Sequence, residues 1–584
     1  MHKIFAYYPA CTKGNQEKSS GYKRVCRLSK ICFTVEVKSL IYKSGRVSSD
    51  TFAMVFLRAF LILLSLSPPS QSIDWSGWGG NIFNNRWASQ NTVISSSNVN
   101  TITQHCRLTY PIGVSATPTI GGDIVYYPTW NGLFVALNYV TCAVQWEINV
   151  TAIIYDYAPL SGLQAEATNP ISRTSPVIDG NVLYFGTQTH ALIVAVSLFS
   201  GQTLGMIQIN PHPLAVVTMS PTLFNSSIFV GTSSMEESAA DSVSGYQCCS
   251  FAGNMARVTF NRSSGNFSVT WNVTMLPEPI GVGGWSGAAV WGSQPSIDSA
   301  GGQVFIATGN TYAAPQAVQA CINSTTNETA CLPSDVWQES VVAIDLMSGV
   351  ANWVRQLSPL DAWTTACGIP GVSARNPALC PETPGLDADF GMAPTFVSGN
   401  SSKESVVVVG QKNGNLYSLS AGTGKLLWST ITSPDGTSGG LSWGIAADDS
   451  QVYFTAINSL NLAWQLQPSG QTINNSAYGS ASLADGTLVW ETPTPQNQSA
   501  YPPPSVVGDL VLVGRTGVAT IAGAAAGTRG GLVVMAKATG AVIADIDLDV
   551  LFQGGIAIQD KYILFGTGYV RFQGTGSFYV MQIS

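Results

Sequence analysis

A single pattern returns eight times along the chain and constrains its fold more than any other feature. A Pro or small residue leads into a short apolar strand, a turn follows, and a second strand rich in Val, Tyr and Phe comes next. Clear copies begin at Thr117-Pro118, Ser175-Pro176, Ser220-Pro221, Gln294-Pro295 and Ala393-Pro394, and weaker ones at Trp443, Pro504 and Gly555. Most copies continue with a third strand, a turn ending in Gly and a fourth strand ending in Trp, as in Ala343–Trp353 and Leu416–Trp428. Trp146, Trp271 and Trp490 close further copies, and residues 193–205 and 532–544 are degenerate ones. One four-stranded unit cannot bury both its faces. Eight arranged radially can, and closing the ring leaves only short edges. The expectation is an all-β, eight-bladed β-propeller over residues 72–584, with each terminal Trp packed between blades.

Composition agrees with many short strands joined by tight turns. The chain of 584 residues carries 58 Gly, and only 10% of it is charged, against about 25% in ordinary globular proteins. Residues 1–50 hold ten Lys/Arg and three Asp/Glu, whereas the chain from Ser72 onward holds fifteen Lys/Arg and thirty Asp/Glu. An acidic body argues against a nucleic-acid partner.

The segment from Met54 carries one basic residue, Arg58, then an apolar run that ends before Ser-Pro-Pro-Ser. That is the make-up of a signal-peptide core, too short for a stable membrane anchor; a buried helix or a signal anchor is the alternative. Because it does not stand at the N-terminus, residues 1–53 read as a gene-model extension and 54–71 as a cleaved signal. The mature, secreted chain then begins near Ser72. Eight cysteines follow it: Cys106, Cys142, Cys248, Cys249, Cys321, Cys331, Cys367 and Cys380. An even set suits an oxidising compartment. Their order suggests neighbouring pairs (106 with 142, 248 with 249, 321 with 331, 367 with 380), although sequence alone leaves other connectivities open. No Cys-x-x-Cys-His occurs, so no c-type haem attaches, and no His/Cys spacing fits zinc. Ten Asn-x-Ser/Thr sequons begin at Asn149, Asn225, Asn261, Asn266, Asn272, Asn323, Asn327, Asn400, Asn474 and Asn497. Glycans there would solvate a surface poor in charge. Long insertions at 233–250, 311–338 and 364–390 interrupt the repeats, and loops of that length are usually functional or glycan-bearing.

The pattern Ala-x-Asp-x-x-x-Gly-x-x-x-Trp, clearest at Ala343–Trp353, resembles the tryptophan-docking motif of the pyrroloquinoline quinone (PQQ) dehydrogenases. Four further stretches carry the likeness. They are the opening Trp75–Trp87; Cys248-Cys249-Ser-Phe-Ala-Gly-Asn; Gly287–Asp298 running into Ala307–Tyr312; and Asp361-Ala-Trp363 with Asp387-Ala-Asp-Phe-Gly391. The likeness covers nearly all of residues 73–584 and is closest to the polyvinyl alcohol dehydrogenase-like branch of the PQQ-dependent alcohol dehydrogenase superfamily.

The resemblance implies a quinone in the central channel between a tryptophan floor and a vicinal disulfide, beside Ca²⁺. Flat apolar walls suit a conjugated ring, oxygen ligands suit a hard cation, and an alcohol that loses hydride must give its proton to a base. By that resemblance Trp291 is the floor, Asn310 a Ca²⁺ ligand, Lys412 the cation at the quinone, and Arg173 a partner for a cofactor carboxylate. Cys248 and Cys249 form the vicinal pair, although they sit where better-studied members place a Glu ligand; Glu236 or Glu237 could supply that carboxylate. Thr364 falls where those members have the catalytic Asp, so Asp361 is read as base and metal ligand, with Asp387 and Asp389 in the next loop. The expected activity is PQQ-dependent oxidation of an alcohol, polyol or sugar, with electrons leaving to an external acceptor. The alternative is a propeller that lost its chemistry and binds glycans or proteins.

Overall fold

The computed structural model describes residues 75–368, 375–517, 529–569 and 574–584, together with the backbone of 22–26 and 32–36. The chain divides into two units, Met1–Ser70 and Gln71–Ser584. In the first, Tyr22–Cys26 pairs antiparallel with Cys32–Glu36, an element the sequence reading did not foresee. The signal reading of residues 54–71 lies outside the described residues. Among the described residues no helix is long and apolar enough to cross a membrane.

The second unit is the expected eight-bladed propeller. Seven four-stranded antiparallel sheets follow the repeats, at 119–149, 177–208, 222–274, 296–356, 395–431, 446–493 and 505–547; we number them blades 1 to 7. Blade 8 takes three strands from the C-terminus, Ala557–Gln559, Tyr562–Gly566 and Thr575–Gln582. Its fourth is Thr103–Pro111, paired with Thr575–Gln582 from the other end of the chain. The ring is thus closed by an early strand on the last blade. The Cys106–Cys142 disulfide then ties that strand to blade 1.

The recurring Trp and Gly are two halves of one lock. Trp146, Trp271, Trp353, Trp428 and Trp490 each donate their indole N–H to a carbonyl of the following blade, at 3.0–3.1 Å. The receiving turns carry Gly201, Gly349, Gly424, Gly486 and Gly540, all with φ between +68° and +75°. A Cβ at any of them would lie 2.4–2.9 Å from an atom of the incoming Trp ring. Glycine is needed there twice over, for the left-handed turn and for the ring. Gly349→Ala is therefore expected to destabilise the protein by about 3 kcal/mol, strained backbone plus overpacking against Trp271. Gly470, with φ +69° and nothing within 4 Å of its Cβ position, should lose only about 1–2 kcal/mol as Ala. Equal losses in denaturant melts would place the whole effect on the backbone and none on the lock.

Residues 75–88 belong to no blade and run across the axis. Carbonyls of Trp75, Ile82, Phe83, Asn85 and Arg86 accept from the N–H of Ile120, Ile297, Phe396, Ala447 and Val506, which lie on the first strands of blades 1, 4, 5, 6 and 7. Arg86 is fully buried. Its guanidinium donates to the carbonyls of Trp78, Pro504 and Ile556 and to the hydroxyls of Thr117 and Ser505, the last two anchored in different blades.

Candidate active site

The site forms where loops from blades 3, 4 and 5 meet. After the blade 4 strand Gln303–Ala307 the chain turns through Gly309 to Asn310, which is 1% exposed. The Asn310 backbone N–H donates to Asp389 Oδ1 at 2.5 Å. Its side-chain Nδ2 donates to the carbonyls of Thr311 and Trp363 at 3.0 and 2.9 Å. Both amide donors are thereby spent on backbone, which fixes the side chain and leaves Oδ1 outside those bonds. Gly309 permits the approach, because a Cβ there would lie 2.5 Å from Asp389 Oδ1.

Lys412 follows the blade 5 strand Val406–Gly410. Its Nζ donates to Asp387 Oδ1 at 2.8 Å and to Asp389 Oδ2 at 3.1 Å, and lies 5.6 Å from the centre of the Trp291 ring. All three charged residues are buried. Burial opposes the charge on Lys412, yet Asp387, Asp389 and Glu237 hold its ammonium above the usual lysine range. Burial pushes the Asp387 carboxyl well up; Lys412 pulls it back, and Asp389 and Glu237 add to the rise. Asp387 also has φ +58°, the left-handed region that a non-glycine residue enters at a cost and that is often found at functional sites.

Of the two acids that precede the cysteines, the helix Glu236–Ser242 sends one each way. Glu236 is fully buried and accepts from the backbone N–H of Ser250 and Phe251 and from the Tyr246 hydroxyl. It holds the loop that carries Cys248-Cys249, whose peptide bond is cis and whose sulfurs are bonded to each other. Glu237 belongs to the site. Burial and then Asp389 raise its carboxyl to about 7, with Lys412 opposing and Asp361 adding to the rise. Its carbonyl accepts from Thr365 Oγ1 at 2.8 Å, which ties the 364–390 insertion to it. Thr364 is buried and donates to the Leu379 carbonyl.

Asp361 is 4% exposed. Its Oδ2 accepts from Ala388 N–H at 2.7 Å and its Oδ1 from Asp387 N–H at 3.3 Å, so its carboxylate holds the loop that presents Asp387 and Asp389. Beside it lies Glu339, whose carboxyl is pushed well up by burial and by Asp361. Trp291, Asn310, Asp361 and Lys412 are linked through Asp387 and Asp389. Asp389 and Glu237 complete a cluster in which three carboxylates, with Asp387, face one ammonium, and Asp361 holds the loop beside them. Such an excess of buried negative charge is what a bound cation offsets.

Arg173 stands apart from Lys412, on the far side of a tryptophan pair. Its guanidinium lies 5.8 Å from the Trp443 ring, and Trp443 meets Trp291 edge to face at 5.6 Å. Burial lowers Arg173, and the neighbouring Tyr569 hydroxyl raises it; no carboxylate pairs with it among the described residues. Arg173, Trp78, Trp291 and Trp443 line one cleft. The indole N–H groups of Trp78 and Trp443 are buried there without a partner among the described residues. Trp291, Cys248 and Cys249 share one apolar cluster with Phe251 and Tyr312. Flat apolar walls, a half-buried guanidinium and orphaned N–H donors fit a flat, polyanionic ring, and PQQ, a tricarboxylated quinone, is such a ring.

Trp78 and Trp443 were not singled out from sequence as site residues. Trp443 opens the sixth repeat where the stronger copies have a residue before Pro, and that departure was the available signal. The other three disulfides are those the cysteine order suggested: 106 with 142, 321 with 331 and 367 with 380.

Comparison with known proteins agrees with the propeller fold. The family model described as outer membrane protein assembly factor BamB matches residues 338–550. Among solved structures, the chain superposes on the quinohemoprotein alcohol dehydrogenase from Comamonas testosteroni with a TM-score of 0.60 at 15% identity, covering 92% of this chain and 82% of that one. A europium-containing methanol dehydrogenase gives 0.58 at 14% identity, covering 90% of this chain and all of that one. The fold is therefore that of the quinoprotein alcohol dehydrogenase-like propellers. In sequence, a polyvinyl alcohol dehydrogenase of a Pseudomonas species is 27% identical over 444 residues, 74% of this chain and 61% of the relative. A second, from a Sphingopyxis species, is 27% identical over 399 residues, 65% of this chain and 54% of the relative. The chain thus spans between about half and three fifths of the length of these relatives. It resembles the PQQ-dependent alcohol dehydrogenase superfamily, and its relatives lie in the polyvinyl alcohol dehydrogenase-like branch.

Proposed function

We propose that the chain is a secreted quinoprotein-type dehydrogenase that oxidises the CH–OH group of an alcohol, polyol or sugar and passes the electrons to a separate acceptor. The observation that carries this reading is the cluster of buried Asp361, Asp387, Asp389 and Lys412 with half-buried Glu237 against Trp291. Trp291 and the Cys248–Cys249 disulfide would hold the faces of PQQ, Arg173 would bind a carboxylate of it, and Lys412 would lie at its quinone oxygens. Glu237, Asn310 and Asp389 would hold Ca²⁺, beside Asp387. Bound there, the quinone supplies the two-electron acceptor for hydride and the cation polarises it.

The protein's own work is placement and proton transfer. Lys412 engages only one oxygen of Asp387 among the described bonds, and the other is the carboxylate oxygen best placed to take an alcohol proton. The sequence reading gave that role to Asp361; we assign Asp361 instead to holding the Asp387–Ala388 backbone. Burial keeps water from the charged groups and strengthens each interaction among them.

Secretion is supported by the four cystines and by the sequons. All ten sequon asparagines are exposed, whereas the buried Asn84, Asn210, Asn254, Asn310 and Asn458 begin none. Purified secreted protein should carry quinone by absorbance and mass spectrometry and a cation by elemental analysis, and chelation should lower turnover until the cation is restored. Protein that takes up neither PQQ nor Ca²⁺ on reconstitution would leave the binding-propeller reading standing.

A further inference from the structure

Two cystine-closed insertions build a groove beside the carboxylate cluster. One contains the helix Gln316–Ser324 and the Cys321–Cys331 disulfide; the other contains the Cys367–Cys380 disulfide. Ile322 and Asn323 line the groove from one insertion, and Thr383 and Leu386 from the other. At its inner end the lining is Asp361 and Ala388, which flank Asp387 in the site already described. Leu386 is 54% exposed on the groove.

Asn323 is also a sequon asparagine, in Asn323-Ser324-Thr325, and it is exposed. Its Oδ1 accepts from Thr383 Oγ1 at 3.2 Å, which bridges the two insertions across the groove. N-glycosylation replaces one hydrogen on Nδ2 and leaves Oδ1 untouched. The bond to Thr383 is therefore compatible with a sugar, and it fixes the direction in which the sugar leaves. Asn327, the other sequon on the same insertion, is exposed but does not line the groove.

We propose that Asn323 is glycosylated and that its glycan forms the outer wall of this groove, limiting by size which alcohols reach the carboxylate cluster. The size limit rests on the dehydrogenase reading, and the modification rests on secretion. A branched sugar anchored at the rim excludes bulky or polymeric chains by volume while small alcohols pass beside it.

The test compares secreted wild-type protein with Thr325→Ala, which removes the sequon and leaves both Asn323 and Thr383 in place. Thr325→Ser keeps the sequon, and Thr329→Ala removes the Asn327 site instead. Peptide mapping by mass spectrometry should find Asn323 occupied in wild type and in Thr325→Ser. Hydroxyl-radical footprinting should find Leu386 and Ile322 shielded in those two proteins and reactive in Thr325→Ala. Turnover of a long polyvinyl alcohol fraction should rise by about fivefold or more in kcat/KM in Thr325→Ala, with 1-butanol unchanged. Thr329→Ala should change neither. If other sequons are occupied and Asn323 is bare, or if Leu386 is equally reactive in all four proteins, the proposal is overturned. A long-to-short substrate ratio unchanged in Thr325→Ala overturns the size limit. Protein that stays inside the cell with every sequon bare would refute secretion and with it the modification. Protein that is glycosylated and footprinted as expected but oxidises no alcohol would refute the dehydrogenase reading and leave the glycan wall in place.

Discussion

Asp387→Asn is expected to lower turnover by about a thousandfold while leaving quinone and cation loading close to wild type. The amide keeps the shape of the carboxylate, and Lys412 retains its bond to Asp389 at 3.1 Å, so the cluster stays assembled. What is lost is the oxygen that accepts a proton. Asp361→Asn should fail differently. Its two oxygens accept from the N–H groups of Asp387 and Ala388, and an amide can offer only one oxygen to them. The other position becomes a donor facing a donor, so the 385–389 loop must move, and quinone and cation should be lost together with activity. Turnover alone cannot separate the two variants, but bound quinone and metal can. Loss of loading in Asp387→Asn, with full loading and no turnover in Asp361→Asn, would return the base to Asp361.

Arg86→Met should destabilise the propeller by more than about 5 kcal/mol, enough to prevent recovery of folded protein. The methionine fills much of the same space, but the Trp78 and Pro504 carbonyls and the Thr117 hydroxyl lose the Arg86 donor at once, while Ser505 and Ile556 keep only their bond to each other. Each buried orphan costs about 1–3 kcal/mol. Arg86→Lys offers three N–H groups in place of a planar fork and should recover part of the loss. Denaturant midpoints for the three proteins test this order. A methionine variant as stable as wild type would mean that water reaches those carbonyls and the hub is looser than described.

The blades were legible because their signal is local. A Gly turn and a terminal Trp lie a few residues apart, and each lock joins neighbouring repeats. The closing strand Thr103–Pro111 was not legible, because its partner Thr575–Gln582 stands at the opposite end of the chain and nothing in either segment names the other. In the site, Trp291, Asn310 and Lys412 could be read from the family resemblance of the residues around each, not from the repeat. Glu236 and Glu237 could not be told apart, since they are chemically identical neighbours and only the phase of a short helix decides which one turns to Lys412. Asp361, Asp387 and Asp389 posed the same problem. Whether a carboxylate faces a loop backbone or an open site depends on the fold of an insertion that no repeat predicts.

The axial segment has a consequence for how such a ring can change over time. In an open solenoid a repeat can be gained or lost at small cost, because each unit answers only to its neighbours. Here the carbonyls of residues 75 to 86 are spaced to meet five particular blades, and the Arg86 side chain reaches a sixth, blade 8. A ring of seven or nine would leave some of these groups facing nothing. The blade count is recorded in a short stretch that belongs to no blade, so duplication within the repeats cannot alter the number unless the spindle is rewritten with it.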